Sequence, residues 1–424
     1  MSIHSVLASR PAPAAGLRVA MSLVLSGCVG LPPLAAPTGD PAEPPSLQAS
    51  VASDPMLPDP NAPSTPPETP SVKAPPAGST APTADPDSLR RALATRCAEG
   101  HPSLQFETDA GGIDGLPAWR GRVRQFTRCV LQIEDHRSIP LDYRVDAEER
   151  ISEHVVRYRV SYASSQASAG AALRIPAFLF VPDGVTPVPA VIVYHGHGDG
   201  KINVAERSRT TENAIGREIA VQYGYVVLAP DAPTFGEFNF ADHMTYMRDV
   251  VARDPTDTYI AHAVADGERD MEVLHQLARV DGTRIGVAGV SMGSWRALLH
   301  SLVYPDVRAV AVAALFVPFG ELFSPLHESC QHVHALAMML RMQDLAAAMS
   351  DRAIMIQWGS ADGAFTVASQ MLLGETQALF ETMDLGDRLV VDIDAARGHQ
   401  FGNAEVGRFM LDRLGVGARE PAAP

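Results

Sequence analysis

The sequence lacks a basic run. No five consecutive positions are Lys or Arg, and the chain carries a net charge of −15 with an isoelectric point near 5.3. That balance repels a polyanion and excludes nucleic-acid binding from the expected functions. An apolar run long enough to cross a bilayer is also missing near the N-terminus. The run there, VAMSLVLS at 19–26, is far short of the about 20 residues a spanning helix needs. Aromatic residues are missing over 29–87, which has no Phe, Tyr or Trp but 17 of the 34 prolines. Such a stretch cannot bury enough apolar area to offset its ordering entropy, so 28–87 reads as a Pro-rich disordered linker. There is no internal repeat.

The N-terminus has an ordered pattern. Arg10 and Arg18 are its only charged side chains ahead of Cys28, and the short apolar run follows Arg18. This is the charge-then-apolar order of a secretory leader. The run ends in LSGC at 25–28, which resembles the lipobox of bacterial lipoproteins. The resemblance implies a lipoprotein signal peptide at 1–27 and lipidation of Cys28. It also implies a periplasmic or surface location, with the linker holding a folded domain off the outer membrane. An ordinary cleaved signal peptide is the alternative. Export means an oxidising compartment. Cys97 and Cys129 fall in two segments that both read as helices, so a disulfide between them is expected. Cys330 is left over and reads as a small buried hydrophobe.

Hydrophobic residues make up 46 % of the chain, enough for one large core or two modest ones. Residues 88–140 read as an N-terminal helical extension, its second helix around PAWRGRVRQFTRCVLQ. HVVRYRVSYAS and LRIPAFLFVP then look like an antiparallel edge. After them, continuous apolar strands alternate with helices: VPAVIVYHG, YVVLAPD, TRIGVAGVS, VRAVAVAALF, RAIMIQWGS and RLVVDIDA. The pattern predicts an α/β fold over 141–416, a mostly parallel sheet flanked by helices, followed by a disordered tail at 417–424. Two insertions, 232–256 and 317–351, are rich in Phe, Met and His. Both follow strands at the edge where ligands bind and are expected to form a cap or rim.

One motif has a definite chemical meaning. GVSMG at 289–293 stands directly between a strand and the helix SWRALLH, the context of a nucleophile elbow. Ser291 is the candidate nucleophile. Gly289 and Gly293 are needed because side chains two residues to either side would strike neighbouring backbone. The turn aims the hydroxyl at a helix N-terminus, where N–H groups and the helix dipole favour developing negative charge. A serine nucleophile needs a base and a carboxylate to orient it, in the chain order serine, acid, histidine. Asp362 lies just past RAIMIQWG, and His399 lies in the loop after RLVVDIDA. Asp392 and Asp394 lie inside a predicted strand, and Asp384 and Asp387 at the opposite edge. His262, His275 and His300 lie on predicted helices, and His327, His332 and His334 precede the acid.

The stretch YHGHGDGK at 194–201 admits three readings. As H-x-H-x-D it could hold zinc, but Gly200 stands where a third histidine is expected. As a phosphate loop it fails, because Ile202 follows Lys201 where Ser or Thr is required. As an H-G-x loop after an early strand it supplies one backbone donor of an oxyanion hole, from His197, with Met292 N–H as the other. Gly196 then lets the backbone approach closely while the His195 ring braces the loop. No metal or cofactor is expected.

Together PAVIVYHGHGDGK, YGYVVLAPDAPTFGE, DGTRIGVAGVSMGSWRALL, AMSDRAIMIQWGSADGAF and ARGHQF resemble the α/β-hydrolase superfamily over roughly 141–414. They are closest to its dienelactone-hydrolase and acetyl-xylan-esterase-like branch. The resemblance implies Ser291 as nucleophile, Asp362 as acid, His399 as base, and His197 and Met292 as oxyanion donors. A dienelactone hydrolase proper uses cysteine, so the resemblance implies that fold rather than that reaction. The expectation is a serine esterase of carboxylic esters, acetyl or other short-acyl, with esterified carbohydrate as the substrate class. A serine peptidase of prolyl-oligopeptidase type is the first alternative, though 88–140 is too short for the β-propeller such enzymes carry. A non-catalytic surface-anchored binding protein on a hydrolase scaffold is the second. The oligomeric state is not legible in the sequence.

Overall fold

The computed structural model describes residues 85–133, 139–166, 173–206, 212–324 and 329–418. Residues 1–84, on which the expected signal peptide, Cys28 and most of the expected linker fall, and the expected tail from 419 onward lie outside them, as does His327. Among the described residues no helix is long and apolar enough to cross a membrane.

The chain opens with α1 (Pro86–Cys97), α2 (Phe106–Asp109) and α3 (Leu116–Val130). Three strands follow, β1 (Arg144–Ser152), β2 (Val155–Ala163) and β3 (Arg174–Pro182), then β4 (Val188–Tyr194), α4 (Ile202–Ala205), α5 (Ile215–Tyr223) and β5 (Val226–Pro230). Next come α6 (His243–Arg253), α7 (Tyr259–Gln276), β6 (Val280–Val290), α8 (Met292–Val303) and β7 (Val307–Ala313). The last part holds α9 (Phe319–Leu322), α10 (His334–Ala337), α11 (Met342–Ala347), β8 (Ala353–Gly359), α12 (Val367–Thr382), β9 (Leu389–Asp394) and α13 (Asn403–Leu414).

Among the described residues, nine strands form one sheet in the order β1-β2-β3-β5-β4-β6-β7-β8-β9. The six strands from β5 to β9 run parallel, and β1, β2 and β3 join antiparallel at one side. Every residue of β4, β5 and β8 is buried. That is why those strands read as unbroken apolar runs rather than alternating ones: helices cover both of their faces. α5 packs on α13, while α8 packs on α3 and α7. β4 has β5 on one side and β6 on the other, so the chain reverses its direction of winding there. Loops leaving the C-terminal ends of β4 and β6 diverge at that switch point and open a crevice, where ligands of such sheets bind.

Three features differ from the sequence reading or refine it. β1 was not anticipated. Its sequence RVDAEERIS has seven exposed positions followed by two half-buried ones, so it has no burial period to read. Its charges suit an edge strand, where they discourage pairing with another chain. The second insertion is not all rim. Leu336, Leu340, Met342 and Leu345 are buried in the core, and α11 packs on α12. The helical extension is an integral layer: Trp119, Val123 and Phe126 are buried. Arg124 Nε donates to Leu302 O at 2.9 Å, and the Phe106 N–H to Asp344 Oδ1 at 3.0 Å. Cys97 and Cys129 are joined by a disulfide with their Cα atoms 5.6 Å apart. Cys330 is buried and takes no part in that disulfide.

Candidate active site

Ser291 stands between β6 and α8 with φ +55° and ψ −125°. A residue with a side chain rarely adopts such a backbone, and the surroundings must hold it there. Its N–H donates to Ala313 O at 2.9 Å. Ser294 Oγ donates to Gly289 O at 2.9 Å and accepts from Ala313 N–H at 3.0 Å. The flanking glycines are dictated by space. A Cβ on Gly289 would lie 2.0 Å from Gly293 O, and one on Gly293 would lie 2.3 Å from Tyr194 O. Met292 is the first residue of α8, so its N–H has no carbonyl one turn back and points out of the helix end.

Tyr194 pairs with Gly289 in the sheet, which sets the loop after β4 beside the elbow. The His195 ring is buried and used at both nitrogens. Nδ1 donates to Gly196 O at 2.7 Å, and Nε2 accepts from Ala232 N–H at 2.9 Å. Burial pushes this imidazole down to about 3, so it is a neutral brace at ordinary pH. With both nitrogens occupied, and Asp199 exposed, residues 195, 197 and 199 do not form a zinc site together. Lys201 is not presented to a phosphate either. Its N–H and Nζ bind the two oxygens of Asp231 at 2.7 and 2.6 Å, and both side chains are buried. That pair ties the loop after β4 to the loop after β5.

Gly196 lies against Ser291. A Cβ there would come within 2.9 Å of Ser291 Cβ and 2.7 Å of Glu212 Oε1. The Gly196 N–H donates to the Glu212 carboxylate, with 3.1 and 3.2 Å to its two oxygens. Glu212 was missed by the sequence reading. It is buried, and burial pushes its carboxyl up to about 7, while the Gly196 amide and the charge of His399 pull it down. Its only sequence signal is an acidic residue just ahead of an apolar helix, which reads as ordinary helix-start composition. His197 is half-buried, with its ring against Phe235 and His243. Burial, and next the nearby charge of His399, push its imidazole down to about 4.

Asp362 and His399 meet at the same end of the sheet, past β8 and β9. His399 Nδ1 donates to Asp362 Oδ2 at 2.8 Å, and Asp362 Oδ1 accepts the Ala364 N–H at 2.9 Å. The Asp362 side chain is 5 % exposed and that of His399 46 %. Burial raises the Asp362 carboxyl, but the hydrogen bonds from His399 and Ala364 outweigh it and leave it lowered. The hydrogen bond to Asp362 raises the His399 imidazole above its ordinary value against the effect of burial. With Nδ1 committed to Asp362, Nε2 is the basic atom of the ring. The competing residues are engaged elsewhere. Asp392 accepts from Arg397 and Gln357, each at 2.8 Å. His262 is bonded to Asp257, and His300 to the Tyr194 hydroxyl. His332 and His334 pack on Phe323. A cavity of about 370 Å³ opens between α1, α6 and the second insertion, lined by Arg90, Met247, Tyr259 and His332 among others. Neither Ser291, Asp362 nor His399 lines it, so it stands apart from the candidate site.

Comparison with known proteins bears on the family and the fold. The family described as acetyl xylan esterase (AXE1) matches residues 129–344, half of the chain. The matched span includes Ser291 and the loop after β4, and ends before Asp362 and His399. Among solved structures, a putative acetyl xylan esterase from Bacteroides fragilis superposes with a TM-score of 0.56 at 13 % identity. It covers 71 % of this chain and 80 % of its own. A CE15 glucuronoyl esterase from Teredinibacter turnerae gives 0.55 at 16 % identity, covering 74 % and 88 %. A glucuronoyl esterase from Solibacter usitatus gives 0.54 at 16 %, covering 72 % and 92 %. At these identities the likeness is one of fold. No curated protein sequence matches.

Proposed function

The chain belongs to the acetyl xylan esterase family, whose members are carboxylic ester hydrolases, and we propose that it cleaves short-acyl esters of carbohydrates through Ser291, His399 and Asp362. Ser291 Oγ attacks the ester carbonyl carbon while His399 Nε2 takes its proton. Asp362 keeps the imidazole in the tautomer with Nδ1–H and stabilises the imidazolium that forms. The carbonyl oxygen becomes an oxyanion and accepts hydrogen bonds from the Met292 and His197 N–H groups. Collapse of the tetrahedral intermediate breaks the C–O bond, and His399 returns its proton to the departing alkoxide. Water, deprotonated by the same imidazole, then releases the acid and restores Ser291.

The observation that supports this reading best is the elbow, where a strained serine is enclosed by two glycines that admit no Cβ. Glu212 belongs to the reading as a positioning residue: by holding the Gly196 N–H it fixes the turn from which His197 presents its amide. We extend the proposal to location. Cys28 is lipidated and the Pro-rich linker tethers the domain at the outer membrane, which a Cys28→Ala variant released into the soluble fraction would support. The reaction is tested on p-nitrophenyl esters from acetate to decanoate and on acetylated xylan. The wild-type chain should turn over the shortest esters, and Ser291→Ala should lower kcat by roughly 10⁵–10⁶-fold. A folded wild-type chain inert to every ester would overturn the reading.

A further inference from the structure

The two histidines of HGHG have different fates. His195 is consumed by backbone contacts, but His197 meets two residues from far along the chain. Its Nε2 lies 3.2 Å from Cys330 Sγ in the second insertion. Its ring lies against that of His243, at the start of α6 in the first insertion. One ligand atom each from His197, His243 and Cys330 all lie within 4.8 Å of one another. We propose that His197, His243 and Cys330 form a binding site for a thiophilic divalent cation of the Zn²⁺ class, one that clamps the loop after β4 to both insertions.

The donor set fits such an ion. One thiolate and two imidazoles suit a borderline-soft metal and do not suit Mg²⁺ or Ca²⁺. Tetrahedral Zn²⁺ with N and S ligands sets those atoms roughly 3.3–3.6 Å apart. One pair is already at 3.2 Å, so closure asks mainly for a small movement of His243. The outer contacts are those a metal-bound histidine uses. Thr234 Oγ1 donates to Pro233 O at 2.5 Å, so it accepts at 2.8 Å from His243 Nδ1–H. That bond fixes the ring and leaves Nε2 with the lone pair. Phe235 packs on both imidazoles and supplies an apolar wall. Cys330 is buried and outside the disulfide, so binding through its sulfur leaves the Cys97–Cys129 bond intact. Three protein ligands leave a fourth position for water. The site takes no part in the ester chemistry. It acts on that chemistry only by restraining His197, whose backbone N–H faces the oxyanion in the proposed reaction.

Co²⁺ is the probe, titrated into the full-length, metal-stripped chain under anaerobic conditions without added thiol. One equivalent should bind with a thiolate-to-cobalt charge-transfer band in the near ultraviolet and the intense visible bands of four-coordinate cobalt. Zn²⁺ should displace it mole for mole and raise the unfolding temperature. Cys330→Ala should lose the charge-transfer band. His243→Gln should bind at least ~10-fold more weakly, and Thr234→Val should weaken binding by about 10-fold through the outer contact. Cys28 is common to all variants, so a band that persists in Cys330→Ala would assign the thiolate elsewhere and overturn the proposal. Absence of any charge-transfer band in the wild-type chain would also overturn it. Should Cys330→Ala not fold, His243→Gln decides, and unchanged affinity in that variant sinks the idea.

Discussion

Ser291 and His399 stand at the same end of one sheet, yet they are held there by different means. Ser291 is fixed by backbone: a positive φ, an N–H bonded to the neighbouring strand, and two glycines whose missing Cβ atoms leave no slack. His399 is a side chain 46 % exposed, oriented by one 2.8 Å hydrogen bond to Asp362. The loop carrying it is anchored behind the site. Buried Arg397 binds Asp392, and a Cβ on Gly359 would collide with Arg397 O at 1.9 Å. The difference teaches that Ser291 is built into the fold, whereas His399 is aimed by chemistry that could be removed without disturbing the sheet.

That contrast can be broken from either side. Asp362→Asn should remove the aim and spare the scaffold, with kcat lower by roughly 10⁴-fold and an unfolding temperature close to wild type. The pH profile should report the same change. His399 must be neutral to accept a proton, and Asp362 raises its pKa, so activity falls as pH drops through that raised value. Without the carboxylate, the residual acidic limb should move to lower pH.

Gly293→Ala attacks the other side. Its Cβ would meet Tyr194 O and His195 O, so the elbow must shift and move the Met292 N–H with it. A loss of about 10²–10³ in kcat is expected, the usual cost of one oxyanion donor. Thermal or urea unfolding should show a loss of about 1–3 kcal/mol, the typical penalty of overpacking. A Gly293→Ala chain of unchanged stability would dissolve the contrast.

Glu212 sits between the two sides, so its effect should be intermediate. Glu212→Gln keeps an acceptor for the Gly196 N–H but removes a charge that raises the His399 pKa. About a tenfold fall in kcat is expected, together with a shift of the acidic limb to lower pH that is smaller than for Asp362→Asn. Glu212→Ala, which leaves the buried Gly196 N–H without its acceptor, should cost more.

Much of this was legible in the sequence, for reasons that differ along the chain. The elbow was legible because steric exclusion writes itself as glycine at fixed offsets from Ser291. Asp362 and His399 were legible because buried parallel strands read as apolar runs, and each residue follows such a run. β1 was not legible, since an edge strand with little burial has no apolar period. Glu212 and the His197–Cys330 contact were not legible either. Their meaning depends on which loops the sheet brings together, and no local pattern carries that information. Lys201, whose phosphate-loop reading already failed on Ile202, is half of a buried ion pair.

The smallest effect on turnover should come from the disulfide, which lies in the helical extension. Replacing Cys97 and Cys129 by Ala removes a cross-link over 32 residues, worth roughly 3–4 kcal/mol in the chain-entropy account. kcat should be unchanged at temperatures where the variant remains folded, with the loss seen only in the denaturant midpoint.

The central claim is that Ser291 is a nucleophile activated by His399. The most direct measurement is covalent labelling with a fluorophosphonate, read by intact mass and peptide mapping. The account predicts one adduct, on the peptide containing Ser291, formed far more slowly in His399→Ala and not at all in Ser291→Ala. An adduct on another residue, or labelling of Ser291 at the same rate in His399→Ala, would contradict it.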